Sequence, residues 1–411
     1  MKKKYVIIGN SAAGIGGVTG IRKEDKAGSI LLISNEKYHT YSRPLISYWL
    51  QGKVTRENMS YRDDRFYEDN QCETRLGVAV TNIDANQKQL ILDNGETVEY
   101  EKLLISTGSV PFVPPIKGQK EAQNCFTFTT MKAAEGIKAI LNDQSRVVIL
   151  GAGLIGLKAA EAMINQCKSL HVIDLADKIL PSILDLETAE YVKTYLEEKG
   201  MVFHLQTQID KIEDQKTFLS DDAILDYDIL VLAVGTRPAT SLAEKAELKT
   251  ARGIVTDTQQ LTSKADIYAA GDCTMSYDMS AEMDKNMAIL PNAYMQGEVA
   301  GLNMAGKATI FEKAFPINSL GLLGMHIFTA GDLNGECKSV TDGDDIKKFY
   351  FKENYLKGFV LIGDFVRPGI YANLIRQQTD CSTIDMETMM KTPQLAAFSH
   401  NERFKKLSAA H

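Results

Sequence analysis

The feature that most constrains the fold of this chain is a short motif that occurs twice. In each copy an apolar run leads into a glycine-rich turn that opens a helical stretch. The first turn runs from Gly9 to Gly14 and the second from Gly151 to Gly156. Short β-branched runs of this kind are typical of buried parallel strands. The duplication therefore predicts two α/β units of one pattern.

The residue types in the two turns match the requirements of a bound pyrophosphate. The first glycine permits a tight turn, the second lets the backbone approach the ligand, and the third lets helix and strand pack closely. The pyrophosphate then lies at a helix N-terminus, on free N–H groups and the positive end of the helix dipole. Ser11 replaces the second glycine in the first copy and is still small. The candidate ligand positions are Gly9, Ser11, Ala13, Gly14, Gly151, Gly153, Ile155 and Gly156.

Each copy also carries an acidic residue at the end of its next apolar run. Glu36 follows the run 30–34 and Asp174 follows the run 170–173. A carboxylate at this distance from the turn accepts hydrogen bonds from ribose hydroxyls. Glycine turns alone are common, but strand, helix and acid together in both copies favour nucleotide binding over a purely structural turn. The chain is therefore expected to bind two dinucleotides.

The repeat extends to a second pair of apolar runs. The run 100–108 ends at Gly108 and the run 227–235 ends at Gly235, and a proline follows each glycine after the same spacing. Both runs are typical of a buried strand that ends beside a ligand.

Composition excludes several classes of protein. Hydrophobic residues make up 44% and charged residues 24%, and the net charge is −7. An acidic chain without a basic block is a poor nucleic-acid binder. The sequence contains no apolar run of ~18 residues, and the apolar stretch after Lys2–Lys4 is too short for a signal peptide. The six cysteines and six histidines are scattered, which predicts a cytoplasmic protein with no metal site.

With these motifs the chain resembles the FAD/NAD(P)-dependent pyridine nucleotide-disulfide oxidoreductases. Within that superfamily it is most similar to NADH-dependent rubredoxin and ferredoxin reductases and to the flavin part of nitrite reductases. Further segments that carry the resemblance are 41–47, 267–273 and 290–297. The resemblance implies an α/β fold with two Rossmann-like dinucleotide-binding domains of the glutathione-reductase type, plus a small α+β C-terminal domain. It also implies FAD in the first site and a nicotinamide dinucleotide in the second.

The resemblance assigns FAD contacts outside the first turn. These are expected at Arg43, Pro44, Val80, Thr107, Gly108, Gly271, Asp272, Pro291 and Ala293. Asp272 is expected to hold the ribityl chain, and the helix that starts at 290–293 is expected to face the flavin pyrimidine edge.

The acid of the second site also bears on the choice of nicotinamide cofactor. Asp174 would repel a 2′-phosphate and bind a free 2′-hydroxyl, and residues 175–177 supply no arginine. NADH is therefore the expected donor.

Two departures from the relatives stand out. The first helix and the segment 42–47 contain no cysteine, which removes the nucleophile for disulfide exchange and for sulfenate chemistry. Ferredoxin-reductase relatives often carry lysine at the position of Tyr48 and glutamate at that of Lys158, an ion pair near flavin N5. Lys158 and Tyr48 are therefore the candidate catalytic residues, because a cation near N5 favours hydride acceptance. The alternative is a Lys158 that points to solvent.

The expected organisation has three parts. An FAD-binding domain comprises residues 1–116 and 247–320, an NAD-binding domain is inserted at 117–246, and an α+β domain occupies 321–411. Within the last part, the apolar runs 349–351 and 359–363 predict a hairpin with its turn at Lys357 and Gly358. In relatives this domain often forms a dimer interface.

The expected function is NADH oxidation by an FAD enzyme that passes electrons to a small iron–sulfur carrier protein, such as a rubredoxin or ferredoxin. One alternative is an NADH oxidase that reduces oxygen. Another is an FAD- and NADH-binding subunit or redox sensor that acts mainly through protein interaction. A homodimer or a larger redox complex is compatible with each.

Overall fold

A computed structural model describes residues 2–399 and Arg403. The chain forms two compact units. The first unit comprises the described residues up to 275 together with 290–311, and the second comprises 276–289 together with the described residues from 312 onward. Among the described residues, no helix combines the length and apolar character needed to cross a membrane.

The first lobe of the first unit is built on a mostly parallel sheet. Its strands and helices are β1 (Lys2–Ile8), α1 (Ala12–Glu24), β2 (Ile30–Ser34), α2 (Leu45–Leu50), α3 (Phe66–Asp69), β3 (Cys72–Leu76), β4 (Val80–Asp84), β5 (Gln89–Leu92), β6 (Thr97–Ile105) and β7 (Ser109–Pro111). The strand order is β3-β2-β1-β6-β5-β4. Strands β3, β2, β1 and β6 are parallel, whereas β4, β5 and β6 form an antiparallel meander.

The second lobe repeats this plan. Its elements are β8 (Cys125–Thr127), α4 (Met131–Ile140), β9 (Arg146–Leu150), α5 (Leu154–Met163), β10 (Ser169–Ile173), α6 (Leu186–Glu198), β11 (Met201–His204), β12 (Ile209–Glu213), β13 (Lys216–Leu219), β14 (Ile224–Asp226), β15 (Ile229–Leu232), β16 (Thr236–Pro238) and α7 (Ser241–Lys245). The parallel sheet has the order β11-β10-β9-β15-β8, beside an antiparallel meander β12-β13-β14. The two predicted Rossmann-like lobes are therefore present.

The glycine turns of the two lobes make equivalent backbone hydrogen bonds. The Gly9 amide donates to the Ile33 carbonyl at 2.8 Å, and the Gly151 amide donates to the Ile173 carbonyl at 2.7 Å. In each lobe this bond anchors the glycine turn to the neighbouring strand. The lobes are joined by an antiparallel ribbon in which β7 pairs with β16.

The last elements of the first lobe come after the second lobe in the sequence. The returning elements are β17 (Ile267–Ala269), which extends the first sheet beside β6, and α8 (Leu290–Met304). Helix α8 packs on α1 with direct backbone contact. A Cβ atom on Gly297 would lie 1.9 Å from the Ala13 carbonyl oxygen, and one on Gly20 would lie 2.2 Å from the Glu298 carbonyl oxygen. Glycine is therefore required on both helices.

In the described residues, the second unit contains an antiparallel sheet, a short hairpin and α-helices. Its elements are β18 (Ser276–Asp278), β19 (Met283–Lys285), β20 (Ile317–Leu322), β21 (Met325–Gly331), β22 (Glu336–Asp342), β23 (Asp345–Lys352), β24 (Tyr355–Ile362), α9 (Pro368–Arg376) and α10 (Met386–Lys391). The sheet order is β20-β21-β24-β23-β22. Phe349, Phe359 and Tyr371 lie fully buried in its core.

The second unit differs in extent from the predicted C-terminal domain of 321–411. Its C-terminal segment begins at residue 312, and the unit also includes residues 276–289, which form the hairpin of β18 and β19. The Met279 amide donates to the Ala314 carbonyl at 2.9 Å, which ties the hairpin to the segment before β20. The division of the first unit at residues 116 and 246 stays a prediction.

The predicted hairpin forms, but its predicted turn is wrong. Strands β23 and β24 connect through Glu353 and Asn354, with Glu353 at φ +55°. Lys357 and Gly358 lie inside β24 instead. A Cβ atom on Gly358 would lie 2.1 Å from the Asp332 carbonyl oxygen, so this glycine serves a close backbone approach within a strand.

The close contact of α1 with α8 predicts that one added methyl group at this interface strongly destabilises the protein. We expect Gly297→Ala to reduce the free energy of unfolding by about 3 kcal/mol, because the helices must separate to admit the Cβ atom. Denaturant unfolding followed by circular dichroism measures this change. Gly369→Ala is the control, because its Cβ atom would meet no heavy atom within 4 Å. A loss of stability as small as that of the control would contradict the required contact.

Candidate functional site

A cavity of about 500 Å³ lies in the first lobe, where β1, β2, β6 and β17 end. Most of the residues predicted to bind FAD line it. These are Gly9, Ser11, Ala13, Glu36, Arg43, Val80, Thr107, Gly108, Gly271, Asp272 and Ala293. The structure thus brings together positions that are far apart in sequence. Gly14, Pro44 and Pro291 are not part of the lining.

The glycine turn has the backbone geometry that its sequence predicts. Gly9 has φ +118°, and a Cβ atom there would lie 2.1 Å from the Ser106 carbonyl oxygen. A Cβ atom on Gly14 would lie 2.0 Å from the Gly9 carbonyl oxygen, so Gly14 allows the helix to pack on the turn. Ser11, with an extended backbone, immediately precedes α1.

The equivalent turn of the second lobe explains why serine is accepted in the first. Gly151 has φ +116°, and a Cβ atom on Gly156 would lie 1.8 Å from the Gly151 carbonyl oxygen. A Cβ atom on Gly153, in contrast, would meet nothing within 4 Å. The middle position is therefore open towards the ligand side, and the backbone does not require glycine there.

Glu36 is held at the rim of the cavity by its own loop. The Tyr41 hydroxyl donates to Glu36 Oε2 at 2.6 Å, and Arg43 Nη2 forms an ion pair with Glu36 Oε1. Arg43 Nη1 also donates to the Thr129 carbonyl at 2.8 Å. Burial raises the pKa of Tyr41, which keeps its hydroxyl a donor. The carboxylate is thus fixed where the sequence expects a ribose contact.

Asp272 lies on the lining together with groups from two other elements. The Ser109 hydroxyl donates to Asp272 Oδ2 at 3.3 Å, and burial raises the pKa of Asp272. Next to it, the Gly271 amide donates to the Gln296 side-chain oxygen at 2.8 Å. Gln296 therefore ties the N-terminal part of α8 to the end of β17.

These residues fit an FAD molecule. The lining combines a glycine turn at a helix N-terminus for the pyrophosphate, a fixed carboxylate for the ribose, and the backbone around Val80 for the adenine. Gly108, with φ +68°, has open space where a Cβ atom would stand. A ligand can therefore approach the backbone closely at this point.

In the second site, backbone amides rather than side chains bind the acidic residue, Asp174. Asp174 Oδ2 accepts from the Ala152 amide at 2.6 Å, and Asp174 Oδ1 accepts from the Ala176 amide at 2.8 Å. The carboxylate therefore lies directly beside the second glycine turn. Gly235, between β15 and β16, has φ +105° and open space on its Cβ side. These positions fit a nicotinamide dinucleotide.

Lys158 does not point to solvent. Its side chain is 17% exposed, forms an ion pair with Glu161, and places Nζ 4.4 Å from the ring centroid of Tyr48. The two candidate catalytic residues are therefore in contact, one from each lobe. Whether they act at the flavin stays a prediction.

Sequence reasoning missed three residues of the site. Glu161, one helical turn beyond Lys158, had a signal in its i,i+3 spacing. Tyr41 and Gln296 lie inside segments that carry the resemblance. Tyr41 bonds Glu36 within its own loop, whereas Gln296 bonds the Gly271 amide, which is 25 positions away in the sequence.

The cysteines offer no redox centre in the described part of the chain. All six are free, and Cys273, next to Asp272, is completely buried. Its thiol donates to the Ala270 carbonyl at 3.3 Å, and burial raises the pKa of Cys273 to about 11. Cys273 is therefore a packing residue. In the described residues no group of acidic, histidine or cysteine side chains is arranged to hold a metal.

Comparison with known proteins gives a consistent result. A profile of the family described as pyridine nucleotide-disulphide oxidoreductase matches residues 3–297. The chain is 27% identical over 394 residues to the NADH-dependent phenylglyoxylate dehydrogenase subunit epsilon of Aromatoleum evansii, with 93% of each chain covered. It is 31% identical over 313 residues to a probable ferredoxin reductase of Castellaniella defragrans, covering 74% of this chain and 76% of the relative.

Other relatives are longer, and solved structures share the fold. The chain spans about half the length of one such relative, 48% of the nitrite reductase of Bacillus subtilis, at 29% identity and with 93% of this chain covered. The crystal structure of a covalent putidaredoxin reductase–putidaredoxin complex superposes with a TM-score of 0.87 at 22% identity, covering 99% of this chain and 98% of that one. At this identity the likeness concerns the fold alone.

The fixed carboxylate at the cavity rim predicts a loss of flavin affinity. We expect Glu36→Gln to weaken FAD binding about tenfold, because a charged hydrogen bond to the ribose is lost. Titration of flavin-free protein with FAD, followed by quenching of flavin fluorescence, measures the dissociation constant. Glu68→Gln, whose side chain is 79% exposed, is the control. Equal affinity of both variants would argue against a ribose contact at Glu36.

The state of the cysteines predicts the pattern of alkylation. At about pH 7, iodoacetamide should label the exposed Cys337 of the native protein and leave Cys273 unmodified, because a buried thiol of high pKa is unreactive. Peptide mass spectrometry measures both sites. NADH oxidation should be unchanged after labelling, and a loss of activity upon alkylation would reinstate a thiol mechanism.

Proposed function

The chain belongs to the pyridine nucleotide-disulphide oxidoreductase family, and from that premise we propose that it oxidises NADH and delivers the electrons to an iron–sulfur carrier protein. It is an FAD-dependent NAD(P)H oxidoreductase with two dinucleotide sites in one compact unit. The observation that carries the proposal is the pair of equivalent glycine turns, each with its fixed acid, at Gly9 and Gly151. Bound FAD would supply acceptance of a hydride and release of single electrons.

The protein's own residues would bind and orient the two cofactors. Glu36 and the first glycine turn would hold the FAD adenosine and pyrophosphate, and Asp174 would select a free 2′-hydroxyl on NADH. The N-terminal turn of α8, which carries Pro291 and Ala293, would place the positive end of a helix dipole near the flavin. Lys158 and Tyr48 would border the reacting rings at the meeting point of the lobes.

The proposal of a carrier protein rests on two observations. Cys273, the cysteine beside the cavity, is buried with a raised pKa, so electrons have no disulfide to pass to at this place. Among the relatives, one is a probable ferredoxin reductase and another is a subunit of an NADH-dependent dehydrogenase. We therefore propose a small iron–sulfur carrier as the acceptor, in a homodimer or a larger redox complex. Six free cysteines support a location in the reducing cytoplasm.

An anaerobic titration of the FAD-loaded protein tests this function. One equivalent of NADH should bleach the flavin absorption near ~450 nm, and added rubredoxin or ferredoxin should restore it within seconds. Restoration by oxygen alone at the same rate would favour an NADH oxidase. A flavin that NADH leaves oxidised would exclude the proposed reaction and favour a subunit that acts through interaction.

The choice of donor can be tested at Asp174. We expect Asp174→Ala to reduce the preference for NADH over NADPH about tenfold or more, because the repulsion of the 2′-phosphate is removed. The ratio of kcat/KM for the two donors measures this preference. The exposed Asp177 lies three residues on, and Asp177→Ala is the matched control. A preference that stays unchanged in Asp174→Ala would place the selectivity elsewhere.

A further inference from the structure

The two lobes of the first unit meet through helices α2 and α5. Helix α2 follows Arg43 at the first cavity, and α5 begins inside the second glycine turn. Gln51, which directly follows α2, donates to the Glu161 carbonyl of α5 at 2.9 Å. Two dinucleotides bound in separate lobes exchange a hydride only where their reactive ends meet. The side chains that cross between α2 and α5 therefore connect a helix beside the first cavity with the helix of the second glycine turn.

Helix α5 carries just two charged side chains, and they pair with each other. Its sequence LIGLKAAEAM is apolar apart from Lys158 and Glu161. The Glu161 side chain is 4% exposed, and that of Lys158 is 17% exposed. Burial of a carboxylate is costly unless the charge is paired, so the two residues form one unit.

The order of the two charges does not serve helix stability. A basic residue near the helix N-terminus, followed by an acidic one, opposes the helix dipole, and the reverse order is the favourable one in isolated helices. Lys158 lies in the first half of α5 and Glu161 near its end. The position of this ion pair is therefore better explained by its contact with the Tyr48 ring, whose centroid lies 4.4 Å from Lys158 Nζ.

We propose that Glu161 is a positioning residue that holds the Lys158 ammonium against the Tyr48 ring at the junction of the two nucleotide sites. The proposal rests on the proposed function, in which Lys158 borders the reacting rings. Lysine has a long flexible chain and a strongly hydrated head, so without an anchor it turns towards solvent. The Glu161 carboxylate, fixed by burial, supplies that anchor from the same helix.

Amine labelling tests the anchor without any cofactor. In flavin-free protein, we expect Glu161→Gln to raise the acetylation rate of Lys158 about fivefold, because the ammonium is released to solvent. Peptide mass spectrometry measures the rate at each lysine. Glu190→Gln is the matched control, because Glu190 pairs with Lys193, whose side chain is 18% exposed. That variant should leave the labelling of Lys158 unchanged.

Rapid-mixing kinetics test the consequence for hydride transfer. In FAD-loaded protein, we expect Glu161→Gln to slow flavin reduction by NADH about tenfold, with the NADH dissociation constant changed less than about threefold. Lys158→Met should slow it by a similar factor. The double variant should be no slower than Lys158→Met, because residues that act as one unit do not contribute separately. Far-UV circular dichroism confirms that each variant is folded.

Two results would overturn the inference. One is an unchanged labelling rate of Lys158 in Glu161→Gln, and the other is a double variant in which the two rate losses multiply. If the proposed function itself fails, the result is different: the flavin of the wild-type protein stays oxidised when NADH is added. In that case the labelling experiment still reports whether Glu161 holds Lys158.

Discussion

The direct backbone contact between α1 and α8 is the constraint on which the first unit depends. Four glycines of the pair, Gly16, Gly20, Gly297 and Gly301, have no room for a Cβ atom, because each faces a backbone atom of the other helix. The contact brings the start of α1, which follows the first glycine turn, next to the start of α8. Both helix N-termini therefore point into one cavity, and two helix dipoles favour negative charge in the same place. The cavity exists because two helices from opposite ends of the lobe touch without side chains between them.

The two lobes share one fold but hold their acidic residues, Glu36 and Asp174, by different kinds of hydrogen bond. In the first lobe, side chains hold the carboxylate: Tyr41 and Arg43 reach Glu36 from a few residues further along the chain. In the second lobe, backbone amides hold Asp174 directly beside the glycine turn. A side-chain network depends on packing around the loop, whereas backbone amides come with the turn itself. The position of Glu36 therefore depends on the packing of its loop, whereas the position of Asp174 depends on backbone amides.

The sequence predicted the parts of the fold that local pattern determines. Strand, glycine turn, helix and acid follow each other within about 30 residues, so the turns at Gly9 and Gly151 and the positions of Glu36 and Asp174 could be placed from the sequence alone. The features that depend on distant contacts could not. The hairpin of β18 and β19 joins the second unit through a bond from Met279 to Ala314, and no periodicity reveals it. Gly358 was interpreted as a turn residue, because a strand glycine that faces a neighbouring backbone has no local signature.

The ribbon of β7 and β16 has a consequence for the order in which the chain folds during synthesis. The second lobe leaves and returns through this ribbon, so its parallel sheet, from β8 to β15, is complete in one continuous stretch. The first lobe lacks β17 and α8 until much later residues have left the ribosome. During that interval the face of α1 that packs on α8, with Gly16 and Gly20, lacks its partner helix. The inserted second lobe can therefore fold first. The first lobe, although it begins the chain, completes its fold only after β17 and α8 have been synthesised.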